Sequence, residues 1–318
     1  MSLLSSLLTV PGPSVAVEVS ATQVSGARLE RRRGQAALAA HAVEPLPAGA
    51  LVGSLTAANV VDKAAVTAAF GRVMEQLGRP SRVALVVPDL VAKVSVIKFE
   101  QVPARAHDLE QLVRWQVRKT APFPIEDAQV SYVAGHRAAD GQDFLVSLAR
   151  RDVVAEYEQL AATAGAHAGV VDLTTFNVIN AALLVPAAAT TSGDWLLVNV
   201  TSDYATLAVV RGSHVMLFRS RSADAEGSLA DLVHQTTMYY EDRLHGAGFG
   251  RVVLAGASQA GDLDLVRRSL QERVTTTVEA LDLRPVVALT DRIGGTGTLL
   301  GTLAPLVGML LRGEEAAA

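Results

Sequence analysis

Apolar residues recur near the start of the chain at spacings that predict short strands and an amphipathic helix. Residues 15–19 and 24–30 have the pattern of two strands joined as a hairpin. Between residues 59 and 77, apolar side chains repeat every three or four positions, which predicts a helix that Gly78 caps. The unbroken apolar run at residues 83–87 predicts a strand buried on both faces of a sheet.

The following stretch predicts a small α+β unit inserted into a larger fold. Strands are predicted over three segments, residues 94–99, 128–134 and 144–149. Residues 108–119 have an apolar face typical of a helix, which the turn at Pro122 ends. A second helix, residues 152–164, is predicted to close the unit, with Asp152 as its N-cap.

The second half of the chain predicts another lobe. Before it, a strand at residues 170–172 and a helix at 174–184 are predicted to resume the first lobe. In the new lobe, strands are predicted at residues 195–200, 206–210, 215–220 and 251–254, with helices from 228 onward and at 262–273. Residues 187–193 are small and form the predicted lobe boundary, and Ser228 with Asp231 predicts a capping box. The apolar run at residues 299–311 is shorter than the ~20 residues of a membrane span, so we predict a buried helix.

Composition narrows the classes of function. The 318 residues are 50% hydrophobic with a net charge of −4, and the scattered basic residues argue against nucleic-acid binding. The absence of cysteine excludes disulfides and thiol catalysis. Residues 1–8 lack the features of a signal peptide, so we expect a cytoplasmic protein without direct insertion into a membrane. Residues 2–8 are expected to be disordered or to lie against a partner or a membrane.

No group of residues predicts catalysis. Residues 256–261 lie between a predicted strand and a predicted helix but lack the lysine of a phosphate-binding P-loop. Residues 294–297 lack the spacing of a dinucleotide-binding loop, and the seven histidines show no metal-ligand spacing. Ser228, Asp231 and His234 lie on one helix, where a cap and a surface histidine explain them. We therefore predict no catalytic residue and no metal site.

One segment carries a specific resemblance. Residues 112–116, Leu-Val-Arg-Trp-Gln, are followed by Ala-Pro-Phe-Pro-Ile-Glu-Asp-Ala at residues 121–128. This helix with its Pro-Phe-Pro turn resembles the signature of the PilM family of type IV pilus assembly proteins. Residues 45–49, 83–88 and 303–309 are also similar to segments of that family, in the same order along the chain.

The resemblance implies an α/β, actin-like (ASKHA) fold with two lobes. Lobe 1A would take residues 1–92 and 165–190, interrupted by an inserted α+β 1C module of SHS2 type at residues 93–164. Residues 191–318 would form lobe 2A. Between residues 220 and 251 only one helix is predicted, so subdomain 2B, which needs about 40 residues or more for its own core, is expected to be missing or reduced.

The resemblance also places a nucleotide site between the lobes, at turns where this sequence departs from the family pattern. The aligned positions are Glu18, Ser20, Thr22, Asn199, Thr201, Gly256 and Ala257. Side chains at Ser20 and Thr201 replace glycines that let backbone N–H groups approach phosphate, and Asn199 cannot supply the charge that positions magnesium. We therefore expect a degenerate site that binds neither ATP nor magnesium.

The function implied is that of an adaptor in the inner-membrane platform of the type IV pilus. It would bind the cytoplasmic tail of a PilN-like membrane protein and, through the platform, the pilus motor ATPase. The sequence also leaves open whether the protein forms a homo-oligomer. The protein would be cytoplasmic and peripheral at the inner membrane through these partners. Two alternatives remain, an actin-fold ATPase with an unorthodox nucleotide site and a GspL-like adaptor of a secretion or competence system.

The same resemblance places the tail in a groove between lobe 1A and the inserted module. One wall would be the strand at residues 83–87. The other would carry the partner-binding residues Arg114, Trp115, Arg118, Phe123 and Pro124. An extended peptide suits such a groove, because backbone pairing supplies affinity and an aromatic pocket supplies selectivity.

Overall fold

The computed structural model describes residues 13–32, 34–189, 191–256, 263–289 and 297–312. Its strands are β1 (Val15–Val19), β2 (Gln23–Arg32), β3 (Gln35–Pro45), β4 (Arg82–Val87), β5 (Ala92–Phe99), β6 (Ala128–Ala138), β7 (Gly141–Arg150), β8 (His167–Leu173), β9 (Asp194–Val200), β10 (Tyr204–Arg211), β11 (His214–Ser222), β12 (Arg251–Ala255), β13 (Val278–Ala280) and β14 (Ala288–Leu289). Its helices are α1 (Lys63–Gln76), α2 (Ala106–Arg118), α3 (Arg151–Thr163), α4 (Thr174–Leu183), α5 (Pro186–Ala189), α6 (Leu229–Leu244), α7 (Leu263–Gln271), α8 (Gly297–Thr302) and α9 (Ala304–Leu311). Short 3-10 turns lie at Asp89–Val91 and Ile125–Asp127.

A six-stranded sheet in the order β14-β3-β2-β1-β4-β8 forms the first lobe. Strand β1 pairs antiparallel with β2 and parallel with β4. The apolar run of β4 is unbroken because its alternate side chains enter two different clusters. Leu85 packs beneath α1 and α3, whereas Val86 packs beneath α8 and α9. This two-sided burial confirms the strand predicted at residues 83–87.

The inserted unit has its own three-stranded sheet, in the order β5-β7-β6, which confirms an α+β module. Helix α2 closes one face of this sheet, and Val113, Val117, Phe144 and Val146 belong to the module's own cluster. Helix α3, which the sequence suggested as the last element of the module, packs differently. Its buried residues, Tyr157 among them, lie in the core of the first lobe. The module's own core is therefore formed between α2 and the three-stranded sheet, without α3.

The second lobe is a five-stranded sheet in the order β11-β10-β9-β12-β13. Helices α6 and α7 pack on one face, and α4 packs on the other. Only α6 lies between β11 and β12, as predicted for an interval too short to hold a separate subdomain. The predicted capping box is present, since the Ser228 hydroxyl accepts from Asp231 N while Asp231 Oδ2 accepts from Ser228 N.

Helices α4 and α9 cross at the base of the lobes, and the crossing requires a glycine. A β-carbon on Gly308 would lie 1.8 Å from the carbonyl oxygen of Asn177. Because α4 also packs beneath the second sheet, this crossing joins the two lobes. No helix in the described ranges is long and apolar enough to cross a membrane.

Four local features of the structure differ from what the sequence predicted. Helix α1 begins at Lys63 with Asp62 as its cap, because Asn59 closes the preceding loop through hydrogen bonds to Ser54 and Ala57. Helix α3 begins at Arg151 without a side-chain cap, and the carboxylate of Asp152 pairs with Arg150. Strand β3 was not predicted, because its alanine-rich sequence has only one β-branched residue, Val43, and no Phe, Tyr or Trp. The final apolar run forms two buried helices instead of one. Residues 2–8 lie outside the described ranges.

Candidate functional site

The structure gathers most of the aligned nucleotide-site positions into one cleft between the lobes. Glu18 lies on β1, Asn199 and Thr201 lie at the end of β9, and Gly256 follows β12. These four residues line the same cavity. Ser20 and Thr22 occupy the β1–β2 turn and do not line it, while Ala257 lies outside the described residues.

The two hairpin turns at this cleft are closed by their own hydroxyl groups. Ser20 Oγ donates to the Gln23 carbonyl at 2.9 Å and accepts from the Gln23 N–H at 3.3 Å. In the second lobe, Thr201 Oγ1 donates to the Tyr204 carbonyl at 2.9 Å and accepts from the Tyr204 N–H at 3.1 Å. The N–H groups of Gln23 and Tyr204 are thus engaged within the chain.

Glu18 is a buried carboxyl group held by two hydroxyls. It is 5% exposed, and the Ser25 hydroxyl donates to Oε2 at 3.3 Å. The Thr174 hydroxyl lies 3.2 Å from Oε1 and 3.1 Å from the carbonyl oxygen of Val87. Burial raises the pKa of Glu18 to about 7, and the two hydroxyls offset only part of that rise. Near neutral pH the group is therefore protonated in a large share of molecules.

A second buried carboxyl group, Asp89, connects the two lobes directly. Its oxygens accept from Thr175 N at 2.9 Å and from the Thr175 hydroxyl at the start of α4. Asp89 also accepts from the Thr206 hydroxyl of β10 at 2.6 Å. Asn199 Nδ2 donates to Thr175 Oγ1 at 2.8 Å and extends the network into β9. Burial raises the pKa of Asp89 to about 6. Sequence reasoning did not find Asp89, because it follows a strand without any motif around it.

The described residues of this cleft enclose only a small cavity. Its volume is about 10 Å³, the room of a single water molecule. Its described lining contains no lysine or arginine, so nothing there offsets the charge of a triphosphate. Gly256 itself approaches the neighbouring turn, since a β-carbon there would lie 2.3 Å from the Val200 carbonyl oxygen. Across the described ranges, no three acidic or histidine side chains cluster in a way that could hold a metal ion.

A much larger groove runs between the module and the lobes. It has two arms, with volumes of about 410 Å³ and 420 Å³. The arms join, because the same residues line both: Ser131, Ser147, Val170, Val171 and Asp172. The first arm continues to α3 and the second to α4, the start of β11 and Arg312.

Two sheet edges border this groove. Strand β8 is the last strand of the six-stranded sheet, and β6 is the last strand of the module's sheet. Each has a single pairing partner among the described strands, β4 and β7 respectively. An edge strand presents unpaired backbone N–H and C=O groups, so both walls of the groove can pair with an added strand.

The groove combines apolar and charged side chains. Val133 is 60% exposed on β6, and Val170 and Val171 are partly buried on β8. Asp172 pairs with Arg312 at 2.6 Å, although burial still raises the pKa of Asp172. Arg151 and Glu158 lie at the other end. The alternating pattern of β6 was visible in the sequence, but its position facing β8 was not.

The partner-binding residues suggested by the resemblance lie elsewhere on the module. Arg114, Trp115, Arg118, Phe123 and Pro124 line neither arm of the groove. Arg114 donates to the Ile125 carbonyl at 2.9 Å, and Phe123 packs against the module core. Trp115, Arg118 and Pro124 are exposed. The strand at residues 83–87 cannot form a wall either, since β1 and β8 flank it and only Val87 reaches the groove.

Comparisons with known proteins agree with this architecture. A chain in the structure of a PilM-PilN type IV pilus biogenesis complex superposes with a TM-score of 0.79 at 18% identity, covering 94% of this chain and 98% of that one. The cytoplasmic domain of EpsL, an inner-membrane component of the type II secretion system of Vibrio cholerae, gives a TM-score of 0.50 at 9% identity, with 92% and 94% covered. A protein of unknown function with an actin-like ATPase fold from Bacteroides thetaiotaomicron gives a TM-score of 0.50 at 10% identity, with the same coverage.

These likenesses show an actin-like fold, as the sequence predicted. A family model described as type IV pilus assembly protein PilM matches residues 16–244. Because that match spans most of the chain and agrees with the resemblance seen in the sequence, the protein belongs to the PilM family of type IV pilus assembly proteins.

Proposed function

We propose that this protein is an adaptor of the type IV pilus assembly platform that holds the cytoplasmic tail of a PilN-like membrane protein in the groove between β6 and β8. The observation that carries the proposal is the pair of unpaired sheet edges facing one continuous groove. A tail bound there in extended form would join the six-stranded sheet to the module's sheet. The complex that gives the 0.79 superposition contains a PilN chain by its description, which supports the choice of partner.

Strand addition fits the dimensions and chemistry of the groove. Strand β8 has seven residues and β6 has eleven, enough to pair with a short extended segment on either side. Alternate side chains of that segment would point into the two arms. Val133 and Val171 offer apolar contacts, while Asp172 and Arg312 offer partners for polar groups.

The adaptor role does not require a nucleotide. The turns at Ser20 and Thr201 are closed internally, and the described part of the cleft leaves room for about one water molecule. Asp89 already bridges the lobes through its hydrogen bonds to Thr175 and Thr206. An ATPase is the alternative, and calorimetry with magnesium and ATP separates the two. We expect no binding, whereas a dissociation constant in the low micromolar range would favour the ATPase.

The cellular location of the adaptor would follow from the location of its partner. A protein that holds the tail of an inner-membrane protein would be cytoplasmic and peripheral at that membrane. The pilus motor ATPase and other platform proteins would be further partners, and a homo-oligomer is compatible with the same role. A GspL-like role in a secretion system would place the same groove against a different tail, so binding of each tail peptide distinguishes the two systems.

The groove is tested by a bulky substitution in its middle. Ser131 is exposed and lines both arms, so Ser131→Arg would fill the groove where the arms join. We expect this variant to bind a synthetic PilN tail peptide at least about tenfold more weakly than the parent protein, because the side chain occupies the peptide's path. Ser202→Arg, at an exposed residue that lines neither arm, is the matched control and should bind normally.

Arg118→Glu decides between this groove and the position implied by the sequence. If the tail lies between β6 and β8, Arg118→Glu binds the peptide as tightly as the parent, because Arg118 lines neither arm. Loss of binding in Arg118→Glu, together with normal binding in Ser131→Arg, would move the tail to the exposed face of α2.

A further inference from the structure

The exposed face of α2 carries a tryptophan among positive charges, and the groove does not use it. Helix α2 buries Val113 and Val117 against the module sheet. On the opposite side Trp115 is 56% exposed, with Lys119 Nζ 3.8 Å from the ring centroid. An indole with this exposure lacks the hydrophobic stabilisation that a buried position in the core would give it.

Unpaired cations surround this indole. Arg118 and Lys119 are exposed and form no ion pair with a carboxylate in the described ranges. Lys93 Nζ donates to the carbonyl oxygen of Thr120 at 2.7 Å, which places a third cation beside the end of the helix. Earlier on the same side of the helix, Gln111 and His107 are polar and hydrogen-bonded to each other, and Asp108 places an exposed carboxylate in the first turn of α2, at the far end from Arg118 and Lys119. The surface is therefore one indole within a cationic patch, without a contiguous apolar area.

We infer that this face, comprising Trp115, Arg118, Lys119 and Lys93, docks onto an anionic lipid surface. A specific protein interface would need several apolar residues within about 800 Å² on each side, whereas Gln111, Arg118 and Lys119, the exposed side chains next to Trp115, are polar or charged. A bilayer interface needs less: an indole that enters the headgroup region and cations that meet anionic phosphates. Lysine and arginine stems that lie along the surface suit the same arrangement.

The position of these cations at the end of a helix is a simpler explanation for their presence. The experiment must distinguish this explanation from lipid binding. Positive side chains in the last turn of a helix are favoured by its dipole. Arg243 occupies the equivalent last-turn position of α6 and is also exposed. Arg243→Glu is therefore a matched control, because it perturbs a helix end without touching the face of α2. This inference does not rest on the tail groove.

Tryptophan fluorescence provides a direct measurement on the unmodified protein. The chain has two tryptophans, and Trp195 is 3% exposed, so a change in solvent contact reports on Trp115. We expect vesicles of equimolar phosphatidylcholine and phosphatidylglycerol to shift its emission to shorter wavelength, at low salt and less at high salt. Vesicles of pure phosphatidylcholine should leave the emission unchanged.

Flotation of the same vesicles with variants completes the test. The fraction bound should fall at least about fivefold in Trp115→Ala and further in Arg118→Glu/Lys119→Glu, since each cation near an anionic surface is worth about fivefold in affinity. Arg243→Glu should float like the parent, and all three variants should bind the tail peptide unchanged. Equal flotation of the α2 variants and the parent would overturn the inference. An emission shift produced by an acidic polypeptide but not by the anionic vesicles would also overturn it and assign this face to a protein.

Discussion

Replacing Glu18 with glutamine removes a titrating group from the closed cleft while keeping the shape of its side chain. The carboxyl group is 5% exposed and is held by the hydroxyls of Ser25 and Thr174. A glutamine oxygen can accept from Thr174, and its amide can donate to Ser25 Oγ. The variant therefore tests the charge of residue 18 and leaves its packing in place.

The magnitude follows from the difference in proton affinity between the folded and unfolded chain. Burial raises the pKa of Glu18 from 4.5 to about 7, so the folded state binds this proton more tightly. A tenfold change in proton affinity is about 1.4 kcal/mol, which limits the effect to about 3 kcal/mol. The stabilisation that comes from the tighter binding of this proton is fully present below pH 4.5 and is lost as the pH rises through about 7. Above that pH, folding has to bury an ionised carboxylate.

We therefore expect Glu18→Gln to be more stable than the parent at pH 8, by about 1–3 kcal/mol, and to gain little at pH 5. Urea denaturation followed by circular dichroism at both pH values measures the difference. The contribution of Asp89 to stability still changes with pH below about pH 6, because burial raises the pKa of Asp89 as well. Glu44→Gln is the control, since Arg72 holds the pKa of Glu44 below its usual value and its removal brings no gain at pH 8.

The reasoning would be refuted by a Glu18→Gln variant that is less stable than the parent at pH 8. It would also fail if the stability difference between the two proteins were the same at pH 5 and pH 8. Either result would mean that the carboxylate is ionised in the folded state at neutral pH, with a cation or water supplying the charge compensation.

Two further substitutions test the crossing of α4 with α9 and the capping of α6. Gly308→Ala should lose about 2 kcal/mol or more in urea denaturation, because its β-carbon would lie 1.8 Å from the Asn177 carbonyl oxygen. Gly71→Ala, in the open middle of α1, should instead gain up to about 1 kcal/mol, and equal effects at the two glycines would contradict the close crossing. Ser228→Ala should cost about 1 kcal/mol by removing the cap of α6, and an unchanged melting temperature would show that the capping box is not stabilising.

The sequence by itself determined most of the elements and the family. Residues 83–87 are apolar on both faces because the strand is covered on both faces. The capping box is recognisable in the sequence because its two residues, Ser228 and Asp231, are only three positions apart. The signature around Trp115 indicated the family because it combines a helix and a rigid turn over a few residues. The same local reasoning missed β3, whose alanines carry no strand preference.

Only the tertiary structure decided how the cleft is closed and where the groove lies. Asp89 and Thr206 are 117 residues apart in the chain, and Asp172 and Arg312 are 140 apart, so no local pattern connects them. Pairing of β6 and β8 with single neighbours leaves two edges facing each other, which depends on how the module's sheet is set against the first lobe. The spacing of apolar residues along the sequence shows which side of a helix or strand is buried, because burial acts on each residue separately. Contacts between distant elements depend on the whole chain being folded, and they determine which side chains meet at a site.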